Sequence, residues 1–233
     1  MHFQSIHALD LSQFQKFLIH LICTLISLYS NTTGHSNVGL GKQSLRVNTT
    51  GDNNTALGYE ALTANTTGAN NVAIGVVALD ANTTGNDNAA LGTTSLSANT
   101  TGSNNVALGN ESLAANTTGA SNTAVGLSAL KENTTGTGNT SVGAFSLDAS
   151  TTGSRNTAQG QSALGTATTA SDNTAIGYFS LLNNTTGQQN TCIGANASDT
   201  STTASDNVIV GYYAGKALTT GSHNVGIGSQ AFD

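Results

Sequence analysis

The chain has 233 residues, a net charge of −6 and only six lysines and arginines in total. So little basic charge argues against a nucleic acid partner, because proteins bind nucleic acids through clustered basic surface. Charged residues make up 8% of the chain and aromatic residues 5%, which excludes ion-pair networks and a large aromatic core as the main source of stability. Backbone hydrogen bonds and closely packed small side chains must provide most of it.

The first predicted element is the segment 1–30, in which residues 17–29 are mostly apolar. A stretch of this length is shorter than the roughly 20 residues that cross a bilayer, so we expect no membrane span. It suits the apolar region of a secretory signal peptide, with Lys16 just before it. The alternatives are a hydrophobic helix that caps the open end of the next domain, or a start codon assigned too early.

From residue 31 to residue 233 a unit of 17 residues is repeated twelve times without a change of phase. The unit reads Asn-Thr-Thr-Gly-x-x-Asn-Thr-Ala-x-Gly-x-x-Ala-Leu, followed by two variable residues. One asparagine column, from Asn37 to Asn224, one glycine column, from Gly41 to Gly228, and the Thr-Thr pair are complete in all units. A fixed short period indicates supersecondary units stacked into one elongated domain.

Each unit predicts two short strands and two turns. The first strand is the β-branched and aliphatic run at Val72-Ala73-Ile74 and its equivalents. The second carries Ala78-Leu79 and its equivalents, and we expect its leucine to meet the aliphatic residue of the first strand inside the coil. The fold class is therefore all-β, a parallel β-solenoid (β-roll) of about twelve 17-residue coils, roughly 58 Å long at a coil spacing of about 4.8 Å.

Stacking in register turns each column of the repeat into a ladder. In the complete asparagine column, each side-chain amide can bond to the coils above and below it. The glycine column predicts either positive φ angles at these glycines or a close approach of neighbouring backbone to them. We expect the column of Thr or Val at Val38, Thr55 and Val72 to lie in the core. The small column at Ala73 is then left to pack against another chain, which predicts self-association.

Two variable residues follow each glycine of the complete column, and their variability predicts an exposed turn. Any recognition of a partner, such as a host surface glycan or protein, would lie there. The variable pairs run from Lys42-Gln43 to Ser229-Gln230. The candidate recognition residues are Tyr59, Glu60, Thr93, Thr94, Asn110, Glu111, Tyr178, Phe179, Tyr212 and Tyr213.

The Asn-Thr-Thr triplets match the acceptor pattern for N-glycosylation. The alternative is that asparagine, threonine and glycine simply form a good turn. The triplets begin at Asn31, Asn48, Asn65, Asn82, Asn99, Asn116, Asn133 and Asn184.

The sequence predicts no enzyme, no cofactor and no metal site. Glu60, Glu111 and Glu132 fall at or near variable turns, without a recurring His or Cys beside them, and are best explained as solvated side chains. Cys192 replaces alanine in a small column, so we expect a buried thiol and not a metal ligand.

The residues Asn-Val-Ala-Ile-Gly at 71–75 and Asn-Thr-Ala-Ile-Gly at 173–177 resemble the head repeat of trimeric autotransporter adhesins. The whole unit is similar to repeats of phage tail-fibre-like and bacterial surface proteins. The resemblance covers residues 31–233 and implies a left-handed β-roll, a homotrimer and an extracellular location on a cell surface or virion fibre. The adhesin repeat is usually shorter, and nothing here resembles the adhesin stalk, membrane barrel or chaperone domain.

These expectations combine into a non-enzymatic fibre segment, the shaft or head of an attachment fibre. The alternative from another class is an ice-binding β-solenoid, because threonine ladders at strand spacing can match an ice lattice. Adjacent threonines of a Thr-Thr turn must point in different directions, which argues against a flat two-column array.

Overall fold

The computed structural model describes residues 27–233, and in this range each repeat contributes one strand of three residues. The twelve strands form a single parallel sheet in sequence order. Their bounds are β1 Val38–Leu40, β2 Thr55–Leu57, β3 Val72–Ile74, β4 Ala89–Leu91, β5 Val106–Leu108, β6 Thr123–Val125, β7 Thr140–Val142, β8 Thr157–Gln159, β9 Thr174–Ile176, β10 Thr191–Ile193, β11 Val208–Val210 and β12 Val225–Ile227.

Every strand residue pairs with the residue 17 positions further along the chain, as in Ala56 with Ala73. The described residues therefore form an all-parallel β-solenoid, with eleven turns between β1 and β12 and a length of about 53 Å at a strand spacing of about 4.8 Å. This confirms the predicted solenoid and its period. Residues 27–233 contain no helix. The predicted signal peptide or capping helix falls on residues 1–26, outside the described range, and on the turn at 27–30.

The prediction of a second strand is wrong. Leu62 and its equivalents lie in turns, with φ between +48° and +53° for the nine leucines from Leu45 to Leu181. This left-handed backbone costs about 1–2 kcal/mol for a residue with a side chain. Burial offsets that cost, because these leucines are at most 1% exposed and burying one contributes about 1.5–3 kcal/mol. Their backbone amides still donate hydrogen bonds to the next coil, as Leu62 N does to Ala78 O. The donor–acceptor distance is 3.1 Å or less for all nine leucines.

The prediction of which strand face is inside is also wrong. The central residue of each strand points inward, so that Ala56, Ala73 and Ala107 are fully buried. The flanking residues point outward, and Val72 remains 39% exposed and Leu91 45% exposed. The alanine column is therefore the inner wall of the coil, while the Thr or Val column and the aliphatic column beside it face solvent.

The reason is the thickness of the coil. The buried leucines of the turns already fill the interior from one side, which leaves room for only a small side chain, alanine in most coils, on the strand opposite. Small and large side chains thus alternate across a thin, closely packed core. Where Ile209 replaces the alanine, Gly215 lies beside its side chain.

Candidate functional site

Ten of the eighteen exposed large hydrophobic side chains among the described residues lie on the outward side of the sheet. We call it the sheet face: the first and third residues of strands β1 to β12. Its first column holds only Val, Thr or Ala, and its third column is aliphatic except at Gln159. No charged residue lies in either column. Five consecutive coils place threonine in the first column: Thr123, Thr140, Thr157, Thr174 and Thr191.

The candidate recognition residues lie immediately after the glycine that ends each strand. The first member of each pair is exposed: Tyr59, Thr93, Asn110, Tyr178 and Tyr212. The second member is half-buried and has left-handed backbone: Glu60, Thr94, Glu111, Phe179 and Tyr213. The prediction of exposed turns is confirmed for the first members, and the role of all ten residues in recognition remains a prediction.

Aromatic side chains at these turns pack in pairs. Tyr178 stacks on Phe179 with ring centroids 3.9 Å apart, and Tyr212 meets Tyr213 edge to face at 4.5 Å. Two tyrosine rings each have a lysine ammonium group over them. Lys216 Nζ is 5.4 Å from the ring centroid of Tyr213, and Lys42 Nζ is 5.8 Å from the ring centroid of Tyr59. The turns with Tyr59 and Tyr213 therefore combine an aromatic ring with an ammonium group over its face.

The pKa values of ionisable groups at the turns respond to immediate neighbours in the same turn or in the adjacent coil. Lys131 Nζ lies 2.9 Å from Glu111 Oε2, and this hydrogen-bonded lysine holds the pKa of Glu111 below its ordinary value. The hydrogen bond and charge of Glu60 raise the pKa of Tyr59. Both sites are open to water, so these contacts add little to stability.

The complete asparagine column forms a ladder through the interior, which confirms the prediction. Asn71 Nδ2 donates to Asn54 Oδ1 (3.1 Å) and to Gly85 O (2.9 Å), while its backbone amide also donates to Asn54 Oδ1 (3.0 Å). From Asn54 to Asn207 these side chains are at most 2% exposed. Carbonyl groups of the turn backbone thus accept hydrogen bonds from asparagine amides inside the coil.

The asparagines of the Asn-Thr-Thr triplets form a second ladder, which was not predicted from the sequence. Asn99 Nδ2 donates to Asn82 Oδ1 (2.9 Å) and to Gly102 O (3.0 Å). A glycan would be attached to this same nitrogen. Seven of the eight triplet asparagines are fully buried, all except Asn31, and this burial favours the turn-forming interpretation of the triplets.

The second ladder is interrupted at Ser150, and two buried atoms, Asn133 Oδ1 and Ser150 Oγ, have no hydrogen-bond partner there. We expect Ser150→Asn to raise the free energy of unfolding by about 1 kcal/mol, because the new amide donates to Asn133 Oδ1. Its own oxygen can accept from the amide of Gly153, as Asn184 Oδ1 accepts from Gly187 N (3.1 Å). Urea denaturation monitored by circular dichroism measures the change.

The matched control is Ser201→Asn, in a unit whose fourth residue is Ala204 instead of glycine. A Cβ at the equivalent Gly102 would lie 2.4 Å from Asn99 Oδ1, so an asparagine in this column requires glycine three residues later. Ser201→Asn should therefore destabilise the chain. Equal effects of the two substitutions would contradict the ladder geometry.

Other reactive groups in residues 27–233 are isolated. Burial raises the pKa of the Cys192 thiol to about 12, which leaves it protonated and unreactive and confirms that it is a small buried residue. No cluster of three or more His, Cys, Asp or Glu in this range could hold a metal ion. Nor does this range hold a helix with the length and apolarity to cross a membrane.

No protein-family model, curated protein or solved structure matches this chain. The class that its structure defines is a parallel β-solenoid with one strand per 17-residue coil.

Proposed function

We propose that this chain is a non-enzymatic segment of an extracellular attachment fibre, assembled as a homotrimer of left-handed β-rolls on a cell surface or virion. The sheet face is the observation that carries the proposal. It extends about 53 Å along the rod and is about 10 Å wide, so each chain presents about 500 Å² of largely apolar surface. Apolar patches of this size on soluble proteins mark interaction sites.

A second copy of the chain is the partner that this surface suits. Two facing copies would bury about 1,000 Å² in total, which is the lower limit for a specific interface between two chains. Neither outward column contains a charged residue, so contact between copies buries no unpaired charge. The interface thus lies on the outward columns and not on the alanine column, and the exposed turns beside it remain available for attachment.

We expect light scattering after size-exclusion chromatography to report about 70 kDa, three times the chain mass of 23.3 kDa. The double variant Leu91→Glu and Leu108→Glu places two charges on the sheet face and should dissociate the assembly. Thr93→Glu is the control, because Glu60 and Glu111 already occupy neighbouring variable turns. A wild-type monomer at micromolar concentration would refute the assembly.

Ice binding is the second candidate, and the five consecutive outward threonines from Thr123 to Thr191 favour it. They repeat at about 4.8 Å on a flat sheet. The Thr-Thr turns do not add a flat array, because Thr66 Oγ1 donates to Thr83 O (3.0 Å) while Thr67 faces solvent. Thermal hysteresis of the purified chain is the deciding measurement, and its absence at millimolar concentration removes this candidate.

A further inference from the structure

Two aromatic pairs at the exposed turns lie on either side of a turn that carries small side chains. Tyr178-Phe179 and Tyr212-Tyr213 occupy the same turn positions two coils apart, with Ala195-Asn196 between them. Backbone hydrogen bonds hold the three turns in register, from Asn196 N to Tyr178 O (2.8 Å) and from Tyr213 N to Ala195 O (3.1 Å). We call these six residues the aromatic slot.

The spacing of the aromatic slot suits a sugar ring. Backbone positions two coils apart are separated by about 9.6 Å, twice the strand spacing, and the turn between the two aromatic pairs carries only a methyl group at Ala195. Two carbon contacts of about 4 Å, one on each side, leave space for a puckered ring. A flat aromatic ring in contact with both sides would need only about 7 Å and would fit the gap poorly.

The chemistry of the slot suits a sugar as well. Aromatic faces carry negative charge density that attracts weakly positive C–H groups, such as those on the face of a pyranose. The Asn196 amide makes no hydrogen bond within residues 27–233 through its side chain, and the hydroxyl groups of Tyr178 and Tyr212 are on exposed residues. These groups can donate to and accept from the hydroxyl groups of a sugar.

The combination occurs once among the described turns. Tyr59 has Lys42 in the coil before it and Val76 in the coil after it, and Phe145 lies between serines of the adjacent coils, Ser128 and Ser162. Tyr59 has Thr93 at its position two coils later, and Phe145 has Phe179 there but Ala144 and not an aromatic residue beside it in its own turn. We propose that the aromatic slot binds one pyranose ring of a glycan, an inference that rests on the proposed role in attachment and names its ligand class.

Saturation-transfer difference NMR on the full chain tests this. The probes are the methyl glycosides of glucose, galactose, mannose and N-acetylglucosamine, with N-acetyltyrosinamide as the flat-ring comparison. Saturation is applied to the aliphatic methyl protons of the chain, which excites neither the sugar rings nor the tyrosine ring, and it should transfer to ring C–H protons of at least one sugar. Tyr212→Ala removes one wall and should weaken binding about tenfold, and Ala195→Tyr should abolish it by filling the gap. Tyr29→Ala, at an exposed tyrosine outside the variable turns, should leave it unchanged.

Transfer to none of the four sugars overturns the proposal, as does transfer only to N-acetyltyrosinamide. Transfer that is unchanged in both Tyr212→Ala and Ala195→Tyr overturns it too. Light scattering on the same samples separates this result from the proposed assembly. A trimer without sugar binding removes the slot and keeps the fibre, whereas a monomer with slot-dependent binding keeps the slot and removes the trimer.

Discussion

Gly109→Ala is expected to lower the free energy of unfolding by about 3–6 kcal/mol, since it combines backbone strain with overpacking. Gly109 has φ +136°, where a residue with a side chain is strained, and an added Cβ would lie 2.3 Å from Gly126 O. That carbonyl oxygen belongs to the next coil and cannot move away without disturbing the stack. Because each coil contacts only its neighbours, the damage should divide the stack into two blocks.

Gly228→Ala is the matched control for this prediction. Gly228 occupies the same column with φ +125°, but nothing lies within 4 Å of its added Cβ. Gly228→Ala therefore introduces the backbone strain without the steric clash, and its free energy of unfolding measures the strain alone. Urea denaturation gives the two free energies, and hydrogen exchange shows whether protection is lost on both sides of residue 109. Similar costs for the two variants would mean that the close approach of the coils contributes nothing.

Asn105→Asp is expected to cost about 3–5 kcal/mol at neutral pH although the two side chains have nearly the same shape. Asn105 is fully buried, and its Nδ2 donates to Asn88 Oδ1 (3.2 Å) and to Gly119 O (2.9 Å). A carboxylate oxygen at that place would face two acceptors without a proton to share. Its burial and these neighbours raise the pKa of the new carboxyl group in the folded state.

The pH dependence of this variant follows from that shift. The folded state holds the proton more tightly than the unfolded chain, whose Asp has a pKa of about 3.9. Stability should therefore fall as the pH rises from about 3.9 to the raised folded pKa, and it should be constant above that value. Asn53→Asp is the control, because Asn53 is exposed, its equivalents in the adjacent coils are the uncharged Ser36 and Asn70, and Asp87 occupies the equivalent position two coils later. If the difference between the two variants in the free energy of unfolding does not change with pH in the acidic range, the asparagine at position 105 is not part of a buried ladder.

Much of the fold could be predicted because the period is strict. A 17-residue repeat without a change of phase required identical coils in register, and the structure has that pairing at every strand from β1 to β12. The positive φ of the glycine column and the burial of the complete asparagine column could also be predicted. Both follow from what glycine and asparagine can do in a turn, whatever lies beyond the coil.

The candidate site was predicted less well. The exposed variable turns could be located from their variability, yet the pairing of Tyr178 with Phe179 and the gap above Ala195 depend on which coils are neighbours. The second asparagine ladder had a signal in the sequence: glycine follows every triplet asparagine, and alanine appears at Ala170 and Ala204 only where the asparagine is replaced by Ala167 or Ser201.

The sequence by itself determined the period, the parallel stacking and the position of the one strand in each coil, because these depend on spacing and on local backbone preference. Only the tertiary structure decided which strand face is inside. Both faces of the run Val-Ala-Ile are apolar, so hydrophobicity could not distinguish them. The buried leucines of the opposite turn made the choice, since they leave a thin interior that admits alanine and turns the larger side chains of the sheet face outward.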